Sequence, residues 1–92
     1  MSQFFFPVIN VQAFGRRFRE LRTDRNISIK QIQNYLGLGA PQAIYKWQAG
    51  QGIPSTDHLL ALSFLFDVSM EELLGYKSHQ LQNKQLDNTM EL

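Results

Sequence analysis

Apolar side chains recur at every third or fourth position through much of this chain, which is the period of an α-helix that buries one face. The first such stripe consists of Val11, Phe14, Phe18 and Leu21. Asn10 is a suitable N-cap before this stripe, and Asn26 tolerates the left-handed conformation that often ends a helix. The pattern therefore predicts a first helix over about residues 11–25.

A second helical segment is bounded by capping residues on both sides. Ser28 and Gln31 have the spacing of a capping box, in which each side chain accepts a hydrogen bond from the other residue's backbone N–H. Gly37 is a typical stop at the other end. The inward face would consist of Ile29, Ile32 and Leu36. The sequence predicts a short second helix of about two turns.

A tight turn then leads to a third helical segment. Pro41 fits its first position, because the N–H that proline lacks would be unpaired there in any case. Ile44 and Trp47 are three residues apart and predict its inward face, and Gly50 is a good left-handed cap. The second and third helices, joined by a short turn that contains glycine, predict a helix-turn-helix motif.

Two further helices are predicted before residue 75. Ser55 or Thr56 can cap a fourth helix, "STDHLLALSFLFDV", and Ser69 with Glu72 forms a second capping box before a short fifth helix that stops at Gly75. The inward stripe of the fourth helix would be Leu59, Leu62, Ser63 and Phe66. The neighbouring Leu60 and Phe64 lie off that stripe, so this helix has more apolar surface than one core face uses.

The pattern divides the chain into three parts. Residues 1–10 form an apolar arm that contains "FFFPVI", residues 11–75 form the helical domain, and residues 76–92 form a polar tail that is a frayed helix or disordered. The apolar surface of the arm and of the fourth helix needs a cover. We expect either the arm itself or a two-fold copy of the chain to supply it.

Several segments together resemble the Cro and phage-repressor type of helix-turn-helix regulator. They are "FGRRFRELR", "ISIKQIQNYLGL", "AIYKWQAG" and "IPSTDHLLALSFLFDVSMEELL", within about residues 11–75. The resemblance implies a compact all-α, five-helix, lambda-repressor-like domain with its helix-turn-helix in helices 2 and 3. It also implies a regulator of transcription, with repression the expected effect, that reads the major groove of double-stranded operator DNA with helix 3. Two positions depart from the family: Gln33 stands where Ala is frequent, and Gln48 stands where Glu often follows the Trp.

Charge and composition agree with this interpretation. The net charge is only +1, but residues 11–50 hold seven Lys and Arg against two acidic residues, which suits a polyanion. The chain has no cysteine, and His58 and His79 are its only histidines, so we expect no metal, no cofactor and no enzymatic activity. It lacks the pattern of a signal peptide and any apolar run long enough to cross a bilayer, so we expect a cytoplasmic protein without membrane contact.

The candidate DNA contacts follow from the place of each side chain in this fold. Gln42, Tyr45 and Lys46 lie off the inward stripe of helix 3, where Gln can pair with adenine, Lys can donate to guanine, and Tyr can meet a thymine methyl group. The predicted phosphate contacts are Arg16, Arg17, Arg22, Lys30 and Gln51, together with backbone N–H groups in the loop after helix 3. The family's ion pair between this Arg22 and the residue after the Trp would here be a hydrogen bond to the neutral Gln48.

Two functional classes remain open from the sequence. The first is a DNA-binding regulator that acts as a homodimer, at least on its operator, with two recognition helices about 34 Å apart. The second is a protein-interaction module, such as the antitoxin of a toxin–antitoxin pair, whose tail from residue 76 onward binds a protein partner. Loss of the tail without loss of activity would weaken the second interpretation.

Overall fold

In the computed structural model, the described residues, 7–76, form five α-helices. The helices are α1 (Val11–Asp24), α2 (Ile29–Leu36), α3 (Gln42–Gln48), α4 (Thr56–Phe66) and α5 (Met70–Leu73). The prediction of an all-α, five-helix fold is therefore confirmed. Within this part of the chain, no helix is long and apolar enough to cross a membrane. The predictions for Phe4, Phe5 and Phe6 and for the tail beyond Tyr76 lie outside the described residues.

Side-chain caps begin four of the five helices at the predicted residues. Asn10 accepts a hydrogen bond from the Ala13 N–H, and Ser55 and Ser69 cap α4 and α5. At α2 the complete capping box is present, because Ser28 Oγ accepts from the Gln31 N–H at 3.0 Å and Gln31 Oε1 accepts from the Ser28 N–H at 2.8 Å. These bonds satisfy backbone donors that a helix N-terminus leaves without intrahelical partners.

Some predicted boundaries were wrong by one or two residues. Pro41 is the N-cap of α3 rather than its first residue, with a φ of −88°, so α3 begins at Gln42. The fourth helix stops at Phe66, before the predicted "DV", because Asp67 adopts a left-handed φ of 59°. The second capping box is only half formed: Ser69 accepts from the Glu72 N–H, but the Glu72 carboxylate is bound by Arg17 instead.

The core is an aromatic cluster surrounded by aliphatic side chains. Phe18 lies at its centre, with its ring 5.8 Å from that of Phe14 and 5.9 Å from those of Trp47 and Phe66. Trp47 contributes an edge-to-face contact at 90°, an arrangement that aromatic quadrupoles favour. Trp47 is 5 % exposed, which confirms the predicted burial. The aliphatic members are Leu21, Ile32, Ile44, Leu59, Leu62 and Leu73.

The first helix is the element against which α3 and the end of α5 are placed. A Cβ atom on Gly15 would lie 2.6 Å from the Trp47 carbonyl oxygen, so the α3 backbone approaches α1 more closely than any larger residue allows. A Cβ atom on Gly75 would lie 3.2 Å from Ala13 Cβ. The Tyr76 hydroxyl donates to the Val8 carbonyl at 2.8 Å, so the segments before α1 and after α5 are joined.

Candidate nucleic-acid interface

Helix α3 has one buried face and one exposed polar face. Ile44 is fully buried and Trp47 nearly so, whereas Gln42, Tyr45 and Lys46 are exposed. Positions i, i+3 and i+4 lie on the same side of a helix, so the structure brings the three predicted base-contacting side chains together on the face opposite the core. Tyr45 is 55 % exposed although it is aromatic, which leaves its ring available for a ligand.

The backbone at the C-terminal end of α3 is fixed by its own hydrogen bonds. At the C-terminal end, Gly50 takes a left-handed φ of 75°, and the Gln51 N–H donates to the Lys46 carbonyl at 3.0 Å. The Gly50 N–H likewise donates to the Trp47 carbonyl. These two N–H groups are therefore occupied, and the prediction that the backbone of this loop offers free donors was wrong for them. Gln51, whose side chain is one of the predicted phosphate contacts, is exposed.

The N-terminus of α2 carries a second group of polar donors. Lys30 is exposed in its first turn, next to the capping box of Ser28 and Gln31. The positive end of the helix dipole and the lysine both favour an anion here. Because α2 precedes the recognition helix across one short turn, this end can lie against the DNA backbone when α3 enters the groove.

Arg22 links α1 to the end of α3. Its Nε donates to Gln48 Oε1 at 2.9 Å, which confirms the predicted hydrogen bond to a neutral partner. Its Nη1 donates to the Ile27 carbonyl at 3.1 Å, a contact that the sequence did not indicate. The Ile27 carbonyl lies in the connection between α1 and α2, so one guanidinium joins α1, this connection and the end of α3.

The other arginines of α1 differ in their surroundings. Arg16 and Arg19 are exposed. Arg17 instead faces α5, where its Nη2 lies 2.6 Å from Glu72 Oε2, and its Nη1 lies 3.4 Å from Glu20 Oε1. A phosphate contact by Arg17 stays a prediction, and it would require the side chain to leave two carboxylates that already neutralise it.

Sequence reasoning missed Gly15, which has no chemistry of its own but sets the position of the recognition helix. A lone glycine in the interior of a helical pattern is the signal that could have indicated it, because such a residue costs helix stability and needs a packing reason. In residues 7–76, no group of three or more His, Cys, Asp or Glu side chains lies close enough together to hold a metal ion.

Comparisons with known proteins agree with this geometry. A family model described as helix-turn-helix matches residues 18–73, from the middle of α1 to the end of α5. The HTH-type transcriptional activator BcrR of Enterococcus faecalis is 34 % identical over 62 residues. That match covers 67 % of this chain and 30 % of BcrR, so the chain spans under a third of the length of that relative.

Two solved structures share the arrangement of helices. The restriction-modification controller protein C.AhdI of Aeromonas hydrophila is 29 % identical, with a TM-score of 0.61 over 72 % of this chain and 98 % of C.AhdI. The clp gene regulator ClgR of Corynebacterium glutamicum superimposes with a TM-score of 0.64 over 91 % of this chain and 89 % of ClgR, but at 19 % identity it shows the fold alone. With the family match spanning the complete α2–α3 motif, this chain belongs to the helix-turn-helix family of DNA-binding transcription regulators, of the Cro and phage-repressor type.

Proposed function

We propose that this protein binds one preferred sequence of double-stranded DNA by inserting α3 into the major groove. We further propose that it is a cytoplasmic protein and that this binding represses transcription. The observation that carries the proposal is the exposed row of Gln42, Tyr45 and Lys46 on a helix whose other face is locked into the core. A helix held this rigidly loses little conformational entropy when it binds, which favours affinity.

Each side chain in this row has a chemically distinct task. The Gln42 amide can donate to and accept from adenine, and the Lys46 ammonium can donate to the N7 and O6 acceptors of guanine. Tyr45 lies between them in the sequence and offers both an apolar ring and a hydroxyl, for a thymine methyl group or a phosphate. The three residues occupy about one turn of helix, so one domain would read only a few base pairs.

The phosphate contacts would come from both sides of the groove. Lys30 with the N-terminus of α2 and Arg22 near the end of α3 supply cations, and Gln51 supplies a neutral donor. Arg16 adds charge on the outer face of α1. Such a small set per domain supports modest affinity and favours binding by two copies on a palindromic site.

The outer face of α4 supports a contact with another protein surface. Leu60 and Phe64 are 49 % and 76 % exposed and lie four residues apart, so they form one apolar patch. In the regulator that we propose, this patch belongs to the dimer that forms on DNA. The same patch also favours the second candidate function, a protein-interaction module such as an antitoxin, in which the patch binds a different protein.

Selection of bound sequences from a random DNA pool, followed by footprinting, tests the proposed function. We expect a palindromic consensus with half-sites about one helical turn apart. Lys46→Ala should weaken binding to that consensus by about 1–3 kcal/mol and relax the preference at one base pair. An equal loss on every sequence would assign Lys46 to a phosphate. If the selection recovers no consensus, sequence-specific binding is contradicted, and a protein-interaction module becomes the better-supported function.

A further inference from the structure

The guanidinium of Arg22 is held at two points without being neutralised. Its hydrogen-bond acceptors, Gln48 Oε1 and the Ile27 carbonyl, are both uncharged. Within residues 7–76 the ion pairs are both made by Arg17, with Glu20 and Glu72. Arginine stays protonated in proteins, so a full positive charge is fixed at a half-buried position.

Helix ends replace the carboxylate that would ordinarily stabilise such a cation. Arg22 lies in the last turn of α1, and its partner Gln48 is the last residue of α3. The C-terminal ends of both helices carry partial negative charge from their carbonyl groups. The Ile27 carbonyl adds a third dipole. These partial charges stabilise the guanidinium but leave its formal charge available to an anion.

The position of the guanidinium relates it to the proposed DNA contacts. Ile27 directly precedes Ser28, the N-cap of α2, and Gln48 ends the recognition helix. The guanidinium therefore connects the segment just before the N-terminus of α2 with the end of α3. In the proposed complex, both would lie near the same DNA strand. Two of its five N–H groups are used by the bonds to Gln48 and Ile27, so three remain for a phosphate.

We propose that Gln48 is a positioning residue that sets the charge of this contact: its amide oxygen holds Arg22 against one DNA phosphate without cancelling the arginine's charge. A glutamate at this position would hold the guanidinium equally well but would occupy it as an ion pair. This inference rests on the proposed DNA binding. According to this inference, the uncharged side chain of Gln48 changes both the affinity for DNA and its salt dependence, although it need not touch DNA itself.

The test compares wild type with Gln48→Glu, a change that keeps the size and the acceptor of the side chain. The variant should unfold in urea at the same concentration or a higher one, because its hydrogen bond to Arg22 becomes charge-assisted. Its affinity for the selected DNA should nevertheless fall roughly tenfold at 50 mM salt, as expected for loss of one charged hydrogen bond. The slope of log affinity against log salt should fall by about 0.9, so the advantage of wild type should shrink by about 3.5-fold between 50 and 200 mM salt.

Two further variants separate charge from geometry. Gln48→Met has a similar length and no charge, so it should weaken binding less than Gln48→Glu and leave the salt slope unchanged. Arg22→Gln should lower the slope by the same amount as Gln48→Glu, and the double variant should lower it no further. If Gln48→Glu folds poorly, folded Arg22→Gln still tests the premise, because an unchanged salt slope in that variant would show that Arg22 contacts no phosphate and would overturn the inference.

The outcomes distinguish this inference from the function on which it rests. If wild type shows no preferred DNA site, the proposed function fails before any variant is compared. If wild type binds its site but folded Gln48→Glu binds equally well with the same salt slope, Gln48 only joins α1 to α3 and the inference is overturned. A greater loss in Gln48→Met than in Gln48→Glu would also overturn it, because position rather than charge would then decide.

Discussion

Replacing Gly15 by alanine should have two opposing effects on the free energy of unfolding: a gain in helix propensity within α1 and a collision with α3. In the middle of α1, alanine favours the helix by about 1 kcal/mol over glycine. Its Cβ atom, however, would lie 2.6 Å from the Trp47 carbonyl oxygen, 3.0 Å from that of Gln48 and 3.2 Å from the Gly50 nitrogen. All three atoms are backbone, so no side chain can rotate away.

The collision should exceed the gain in helix propensity. Ordinary contact for a Cβ atom begins at 3.4 Å, so α3 would have to move by about 0.8 Å at Trp47, and an overpacked core typically loses about 1–3 kcal/mol. Because only backbone atoms can yield here, we expect a cost in the upper part of that range, about 2–3 kcal/mol. After the helix gain of about 1 kcal/mol, Gly15→Ala should lower the free energy of unfolding by about 1–2 kcal/mol, a decrease in Tm of roughly 4–16 °C for a domain of this size. DNA affinity should fall further than this loss explains, because the displaced element is the recognition helix.

Urea titration followed by the fluorescence of the single Trp measures the stability, and binding to the selected DNA at a temperature where the variant is folded measures the displacement. Gly52→Ala is the matched control, since a Cβ atom there meets no other atom within 4 Å and the glycine does not have a left-handed φ. A Gly15→Ala protein that is about 1 kcal/mol more stable than wild type, with unchanged DNA binding, would refute the argument. The contact would then yield without cost.

Two other substitutions test the core and the outer surface. Trp47→Ala should lower the free energy of unfolding by about 3–5 kcal/mol, because it removes the edge-to-face contact with Phe18 and leaves a cavity in the core. A fluorescence spectrum of the native protein that is typical of a water-exposed indole would contradict the burial of Trp47. Phe64→Glu should change stability by less than about 0.5 kcal/mol, because Phe64 is largely exposed, but it should abolish cooperative binding of two copies to a palindrome. If sedimentation and DNA binding show that Phe64→Glu keeps its oligomeric state and its cooperativity, α4 is not the dimer interface.

The features predicted well from the sequence are those that local chemistry determines. Ser28 with Gln31 specifies a capping box wherever the chain begins a helix, and Ile44 with Trp47 specifies a buried face by spacing alone. The exposure of Leu60 and Phe64 follows from the same helical period. The hydrogen bond between Arg22 and Gln48 was predicted through the family resemblance, which supplies a long-range pairing that periodicity cannot.

The features missed depend on which elements meet in space. Glu72 was assigned to a capping box because its local spacing fits, yet the approach of α5 to α1 gives its carboxylate a charged partner in Arg17. Asp67 ends α4 in a left-handed conformation that a glycine would more readily signal. A glycine inside a helical pattern indicates that something packs closely at Gly15, but nothing in its neighbours along the chain reveals that the packing element is α3.

The hydrogen bond between Tyr76 and Val8 makes the described chain nearly a closed ring. The segment at Val8 and Ile9 also borders Gly50, so the ring closes beside the C-terminal end of the recognition helix. A short flexible linker could therefore join residue 76 to residue 7 and move the chain ends to a loop, such as residues 51–54, without stretching any helix; domains with adjacent ends tolerate such circular permutation. For the same reason, a fusion partner attached at residue 7 and one attached at residue 76 would leave the domain at nearly the same point on its surface. In a protein trimmed to residues 7–76, exchanging an N-terminal fusion for a C-terminal one would therefore do little to move the partner away from α3.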